Sequence, residues 1–431
     1  MWIQRLGRAL GQGRRHLHAK IVKGTSIEVQ PEPESAASSM TFPGVWLRDN
    51  CRCSECFHDT SQSRRLDWDT FDTAVRPLSI RSDEAAGEVH VSWSDAHESS
   101  YTLDWLRQRS FDADRQRAYL EDFYRPATRH WAGAEFQQVA QHFDYEEVMA
   151  KDAALQQWLQ ALAVYGVALL RGAPLDEGVV RRLAERVGFI RRTTYGEEFV
   201  VQAKPGAQNF AYLSLPLPLH TDLPYYEYKP SVNILHCVVQ TESQGGSNLL
   251  VDAFHIADRL RSDHPEDFER LCRTPVDWND IGSEDGREFH NIWRAPAIWA
   301  STRVSTTVCP KRDSHFSVTL TKVEPWYESY SRFVRLARDD AHAFKTRPGD
   351  VLTFNNIRLL HGRTGYDDTE QNSRYIVRAY LDWGHHLLAA PETRTQTRTG
   401  SRAQTPARMQ QQKQQQQPPP SSSTMARGDE I

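Results

Sequence analysis

Apolar positions along the chain fall into two regimes. From Glu146 to Val164 they recur at helical spacing, with Val148, Leu155, Leu159 and Leu162 on one face, which predicts an amphipathic helix. Tyr165 to Gly172 is a short apolar run between turn signals and predicts a buried strand; Val179 to Val187 predicts a second helix. From Gly188 onward the pattern turns to strands, predicted at Phe199–Gln202, Ser231–Val239, Ser247–Val251, Val351–Phe354 and Arg374–Trp383. Helices interrupt them at Asp252–Arg261 and Val323–Arg338, and Ser283 to Ser314 shows no clear strand alternation. Early helices followed by many short strands predict a mainly β fold with flanking helices, a jelly-roll barrel with the helices packed outside.

The two ends differ from this middle. Met1 to Lys23 carries Arg5, Arg8, Arg14, Arg15, Lys20 and Lys23, and the first acidic residue is Glu28. An Arg-rich, acid-free amphipathic start predicts a mitochondrial presequence over residues 1–25, with a cytoplasmic protein as the alternative. A Pro/Glu/Ser linker leads to a small β-rich domain over residues 40–125, and the barrel domain is expected over 145–389. Residues 390–431, rich in Gln, Pro and Ser, have too few apolar side chains to offset their ordering entropy and are expected to be disordered. A formal net charge of −4 gives no reason to invoke nucleic acid, and no apolar run approaches the ~18 residues of a membrane span.

Chemistry concentrates in two places. Cys51, Cys53 and Cys56 put three of the six cysteines within six residues, and clustered thiols of this kind are more often metal ligands than disulfide partners. Three thiolates need one imidazole to close a tetrahedral Zn(II) site. His58 would require a very tight loop, so His97, in the turn after the alternating run Val89–Trp93, is preferred. The second place is Leu219-His220-Thr221-Asp222 with the distant Gly349-Asp350-Val351-Leu352-Thr353-Phe354 and His361-Gly362-Arg363. On a strand, residues i and i+2 point to one side, so His220 and Asp222 can reach one ion. With His361 they make a two-histidine, one-carboxylate set that leaves coordination positions open, as in non-heme Fe(II) oxygenases. His142-Phe143-Asp144 has the same spacing but lies in a polar region. Arg374, thirteen residues after His361, suits a bidentate clamp on a dicarboxylate such as 2-oxoglutarate.

Trp46-Leu47-Arg48-Asp49-Asn50-Cys51-x-Cys53-x-x-Cys56, Ala211-Tyr212, His220-Thr221-Asp222, Leu235-His236-Cys237, Gly349-Asp350-Val351 and Arg358-Leu359-Leu360-His361-Gly362-Arg363 together resemble the γ-butyrobetaine and trimethyllysine dioxygenase family. The resemblance runs from about Val45 to about Trp383. It implies a double-stranded β-helix (jelly-roll) dioxygenase domain preceded by a small zinc-binding domain, and a homodimer. It further implies Fe(II) held by His220, Asp222 and His361, zinc held by Cys51, Cys53, Cys56 and His97, and the 2-oxoglutarate carboxylate held by Arg374. Ascorbate is the implied reductant and O₂ the co-substrate. The full cysteine set favours the γ-butyrobetaine branch, hence hydroxylation to L-carnitine.

A trimethylammonium group has no N–H to donate and is held by aromatic faces. Tyr195, Phe199, Tyr212 and Tyr380 resemble the family's cage, with Phe199 where the γ-butyrobetaine enzyme has tryptophan, and Asn209 lies across the pocket. The family's Asn-Asn pair is replaced by Thr307-Val308-Cys309-Pro310-Lys311-Arg312-Asp313. That departure leaves two further readings: hydroxylation of trimethyllysine or another quaternary amine, and a non-catalytic, zinc-stabilised interaction protein.

Overall fold

A computed structural model describes residues 17–31, 39–123, 128–204, 210–284, 286–299, 315–369 and 373–382. Asn209, the stretch Thr307–Asp313 and the 390–431 tail lie outside the described residues.

The N-terminal unit opens with a three-stranded antiparallel sheet, β1 (His18–Val22), β2 (Ser26–Gln30) and β3 (Met40–Pro43), followed by α1 (Gly44–Asp49). A minimal hairpin, β4 (Phe57–His58) and β5 (Ser63–Arg64), precedes a meander of β6 (Pro77–Asp83), β7 (Glu88–Trp93) and β8 (Glu98–Thr102). In β7 the period of two is clean: Val89, Val91 and Trp93 are buried while their neighbours are half-exposed. With Ile27, Val29, Phe42, Leu47 and Tyr101 they form one core, and Leu17 joins it. The end of the basic stretch expected to be a presequence is therefore built into the sheet, and the unit starts before residue 40. Thr102 caps α2 (Leu103–Gln108) by accepting the Trp105 N–H, and α3 (Ala113–Phe123) follows.

The larger unit begins ahead of residue 145. Trp131 and Phe136, the latter opening α4 (Phe136–Val139), are buried against Val167, Leu352 and Phe354. Next come β9 (Gln141–Asp144), α5 (Tyr145–Ala150), α6 (Asp152–Tyr165), β10 (Val167–Arg171), α7 (Val179–Val187), β11 (Glu198–Val201), β12 (Leu217–His220), β13 (Val232–Val239) and β14 (Asn248–Asp252). Helices α8 (Ala253–Asp263) and α9 (Pro265–Arg273), strands β15 (Pro275–Glu284) and β16 (Arg287–Pro296), and α10 (Val323–Asp340) follow. β17 (His342–Phe344), β18 (Val351–Asn355), β19 (Leu359–Arg363) and β20 (Tyr375–Leu381) complete it.

Two sheets form the barrel. The major one has the order β11-β20-β13-β18-β10-β9, the minor one β12-β19-β14-β17. Alternation sorts each strand between two faces. Val232, Ile234, Val377, Ala379 and Leu381 pack outward onto α6 and α7. From β14 and β19, Val251 and Leu360 pack outward onto α8, α9 and α10. Leu235, Leu352, Ile376, Arg378 and Tyr380 face inward, where they line cavities together with Leu217, Leu250 and His361 of the minor sheet. The functional residues are thus inward-facing positions between two sheets.

Two expectations are corrected, and the look-alike His142/Asp144 pair takes a structural role. The single helix over Glu146–Val164 is two, because Lys151 adopts an extended conformation (φ −119°, ψ 124°) between α5 and α6. Ser283–Ser314 begins inside a long hairpin: β15 and β16 pair over their whole length, with Trp278 opposite Trp293. Polar residues such as Asp277, Asn279 and Asn291 dilute its apolar alternation, and one face stays open, with Ile281 and Ile292 exposed. His142-Phe143-Asp144 is strand β9, parallel to β10, and the Asp144 carboxylate caps α5 by accepting the Glu147 N–H at 2.9 Å.

Candidate metal centres and substrate cavity

β12 and β19 are antiparallel neighbours, and their register sets His220 directly opposite His361. The imidazole centroids lie 4.1 Å apart. Asp222 follows β12, and the backbone turns sharply after it, with Leu223 at φ +51°. The Asp222 N–H donates to Asn356 Oδ1 at 2.8 Å, and Asn356 Nδ2 donates back to the Asp222 carbonyl at 3.1 Å. Its carboxylate then reaches both rings: Oδ1 is 3.5 Å from His220 Nε2 and Oδ2 is 3.4 Å from His361 Nε2.

Hydrogen bonding shows what these donors are arranged for. His220 Nδ1 sits 2.8 Å from the Pro218 carbonyl, which can only accept, so Nδ1 carries the proton and Nε2 presents a lone pair. That lone pair faces a carboxylate oxygen, and His361 Nε2 is buried with no hydrogen-bond partner. Two acceptors facing each other in a buried site are stable only around a cation. Burial, and then the neighbouring His220, lower His361 to about 4, so it is a neutral ligand at pH 7. Burial alone would raise the Asp222 carboxyl, but Arg378, His361 and the imidazole contacts outweigh it and hold Asp222 well below the usual carboxylate range. The N···O separations are slightly wider than the ~3.0 Å edge of an octahedron with ~2.1 Å bonds. The donor set fits a divalent metal with open positions.

Two compartments flank this cluster. One, of about 540 Å³ including its mouth, is walled by Tyr195, Phe199, Tyr212, Tyr225 and Tyr380 and touches His220 and Asp222. Phe199 stands 5.4 Å from Tyr195 and 5.6 Å from Tyr380, centroid to centroid. Tyr212 shares the wall but already carries the Lys204 ammonium 4.0 Å over its ring. The other compartment, of about 460 Å³, contains His361, Arg363 and Arg374. Arg374 is 4% exposed, its Nε has no partner among the described residues, and its Nη2 donates at a long 3.4 Å to Asn248 Oδ1. Burial and then Arg363 lower it to about 10, so it remains a cation at neutral pH in a cavity lined mostly by apolar side chains. Arg363 instead donates to the carbonyls of Ala211, Leu213 and Leu215 and fixes the loop carrying Tyr212.

In the N-terminal unit Cys51, Cys53, Cys56 and His97 converge. His97 Nε2 lies 3.3, 3.5 and 3.5 Å from the three sulfurs. Tetrahedral zinc with bonds of about 2.3 Å to sulfur and 2.0 Å to nitrogen places S and N about 3.5 Å apart. Burial, and then the neighbouring Cys51, push the Cys56 thiol up to about 12, a repulsion that a divalent cation would relieve. Arg48 bridges the two halves of the cluster, donating to Cys56 Sγ at 3.3 Å and to Asp95 Oδ2 at 2.8 Å. His58 is elsewhere, its Nδ1 2.7 Å from Ser61 Oγ.

The structure therefore brings together His220, Asp222 and His361, the cysteine set with His97, and Tyr195, Phe199, Tyr212 and Tyr380. Arg374 lies in the adjoining compartment. The sequence reading did not single out Tyr225, Asn233 or Arg378. Arg378 could have been found from the same period of two that runs through Arg374, Ile376 and Tyr380.

Comparison with known proteins agrees with this arrangement. Residues 124–380 match the Taurine catabolism dioxygenase TauD, TfdA family, and residues 25–107 match the γ-butyrobetaine hydroxylase-like N-terminal family. The chain is 34% identical over 348 residues to the γ-butyrobetaine dioxygenase of Homo sapiens, covering 79% of this chain and 88% of that one. It is 32% identical over 350 residues to the γ-butyrobetaine dioxygenase of Pseudomonas sp. (strain AK-1), covering 79% and 87%. To the mitochondrial trimethyllysine dioxygenase of Homo sapiens it is 30% identical over 349 residues, covering 78% and 80%. A metal-ready triad between two sheets and a cysteine cluster ahead of it accompany sequence similarity along most of the chain, and the protein belongs to the TauD/TfdA dioxygenases, in the group that holds the γ-butyrobetaine and trimethyllysine enzymes.

Proposed function

We propose that the protein hydroxylates γ-butyrobetaine to L-carnitine, with Fe(II) held by His220, Asp222 and His361 and 2-oxoglutarate as co-substrate. One observation carries the reading: the triad stands between a compartment of aromatic rings and a compartment with a buried guanidinium whose Nε has no partner among the described residues. The iron, when bound, supplies the activation of O₂ by which 2-oxoglutarate becomes succinate and CO₂ and the substrate gains a hydroxyl.

The chain's own residues position the reactants. Arg374 takes the distal carboxylate of 2-oxoglutarate as a two-point clamp, which a buried guanidinium with free donors is built to do. Tyr195, Phe199, Tyr212 and Tyr380 present ring faces to the trimethylammonium head, and their apolar wall excludes water from the carbon to be oxidised. His220 and His361 stay neutral and contribute lone pairs, while Asp222 contributes a negative charge. Cys51, Cys53, Cys56 and His97 hold zinc in a closed, structural site.

A second reading keeps the chemistry and changes the amine, to trimethyllysine or another quaternary ammonium compound; Phe199 in the cage is the observation that favours it. Incubation with Fe(II), ascorbate, 2-oxoglutarate and either γ-butyrobetaine or trimethyllysine, followed by mass spectrometry, separates the two. Carnitine is the expected product. Hydroxytrimethyllysine alone would move the chain to the sister activity, and no succinate under either condition would refute the enzyme.

We further propose a mitochondrial address with a removable leader confined to residues 1–16, since Leu17 and β1 belong to the folded core. The expected mature N-terminus, read by mass spectrometry of the protein from cells, lies at or before residue 17. A start beyond residue 23 would contradict this.

A further inference from the structure

Arg378 sits where both compartments meet. Four residues line both cavities, and three of them (Val201, Ala211 and Leu217) are apolar; the fourth is Arg378. Its guanidinium is 5% exposed, with its carbon 5.4 Å from the ring centroids of Phe199 and Tyr380. Nη2 donates to Asp222 Oδ2, and to Asn233 Oδ1 at 3.0 Å. Asn233, itself fully buried, donates through Nδ2 to the same Asp222 oxygen at 2.8 Å. Oδ2 therefore has two donors, which occupy its lone pairs although His361 Nε2 also stands 3.4 Å from it. Oδ1 has none beside it except His220 Nε2 at 3.5 Å, and that atom presents a lone pair rather than a proton.

We infer that Arg378, with Asn233, is a positioning residue for the metal centre: it occupies Asp222 Oδ2 so that Oδ1 alone is offered to the metal. The inference rests on the proposed iron site and deepens it. A free carboxylate can rotate about its last bond and bind an ion through either oxygen or both, and each extra mode uses up a position the reaction needs open. A planar guanidinium on one oxygen, reinforced by an amide, removes that rotation. The bond network reaches further, since Asn233 Nδ2 is 3.4 Å from Asn356 Oδ1, which also accepts the Asp222 N–H. Backbone and side chain of the ligand are thus fixed by one connected set. Arg374, four residues earlier on the same face, has no such bond and is left for the co-substrate.

The test is an anaerobic Fe(II) titration of metal-stripped full-length protein, without and then with 2-oxoglutarate, following both the dissociation constant and the visible absorption of the ternary complex. Loss of an outer partner of a metal ligand weakens metal binding by about 10- to 100-fold, and Arg378→Met is expected to fall in that range. Arg378→Lys, which keeps the charge but loses the planar guanidinium, should lie between it and wild type, with the absorption band shifted. Asn233→Ala should weaken Fe(II) binding by about 3- to 10-fold. Arg374→Met provides the contrast: unchanged Fe(II) affinity without 2-oxoglutarate and lost co-substrate affinity. If Arg378→Met does not fold, as judged by circular dichroism, the lysine and asparagine variants decide. Wild-type Fe(II) affinity and an unshifted band in Arg378→Lys and Asn233→Ala would overturn the inference. A wild-type protein that takes up no Fe(II) would instead overturn the proposed iron site.

Discussion

Phe199 sets how firmly the aromatic compartment holds a cation. Its ring lies between Tyr195 and Tyr380 and has a weaker quadrupole than an indole would bring to the same place. Tryptophan is the best cation–π partner, and an improvement of ~0.5–1 kcal/mol corresponds to about 2- to 5-fold in affinity. Phe199→Trp is accordingly expected to lower KM for the quaternary amine by about that factor while leaving KM for 2-oxoglutarate unchanged. An unaltered amine KM would remove Phe199 from the binding wall. Arg374 makes an independent expectation through pH. Only the protonated guanidinium can clamp a carboxylate, and burial with Arg363 has brought Arg374 down to about 10. Affinity for 2-oxoglutarate should hold up to about pH 9 and fall as pH rises through 10, a window in which an ordinary arginine would still be fully charged. Binding followed by spectroscopic titration between pH 8 and 11 checks the sign. Flat affinity across that range would mean that the co-substrate is held elsewhere.

The strand pair β12–β19 depends on two residues that carry no chemistry. Gly362, between His361 and Arg363, passes so close to β12 that an added Cβ would meet the Leu217 carbonyl at 2.7 Å. Upstream, Arg358 is fully buried and paired with Asp252, Nε to Oδ1 at 3.0 Å and Nη2 to Oδ2 at 2.7 Å, and it also donates to the Val164 carbonyl at 2.9 Å. Removing one partner of such a pair strands the other charge. Arg358→Met is expected to cost about 3–5 kcal/mol of stability, measured by urea unfolding, whereas Gly362→Ala should mainly impair metal binding by pushing β12 from β19. A cost under about 1 kcal/mol for Arg358→Met would show the pair to be dispensable. These two positions also mark what was legible in the sequence. The triad, the cysteines and most strands were readable because period-two alternation and ligand spacing are local signals. His361-Gly362-Arg363 was legible as a motif but not as a steric necessity, since the carbonyl that demands glycine lies about 145 residues earlier. The β15–β16 hairpin was invisible for a related reason. Its inward face is paid out in Trp278, Trp293 and Phe289 against neighbours distant in sequence, while its outward face mixes Ile281 and Ile292 with charged residues.

At the scale of the whole molecule, the two candidate metal sites belong to separately cored units and should fail separately. The N-terminal unit has a small apolar core around Ile27, Phe42, Leu47, Val91 and Trp93. Its cysteine knuckle and His97 come from segments over 40 residues apart in sequence, joined by Arg48 through Cys56 and Asp95. Structural zinc contributes ~10–16 kcal/mol at neutral pH, comparable to or larger than the 5–15 kcal/mol that stabilises a typical domain, so this unit should not remain folded without its metal. The barrel has its own cores on both sheets and is expected to assemble without metal. A thiol-reactive chelation step is therefore expected to open residues 17–123 to limited proteolysis while the barrel remains resistant and rebinds Fe(II). Cys53→Ser should reproduce that pattern, and Arg48→Met should release zinc faster than wild type without altering Fe(II) affinity. Cooperative loss of both units on zinc removal would instead mean that the small domain is part of the barrel's folding unit, and the non-catalytic role of the cysteine cluster would then have to be read as support for the active site itself.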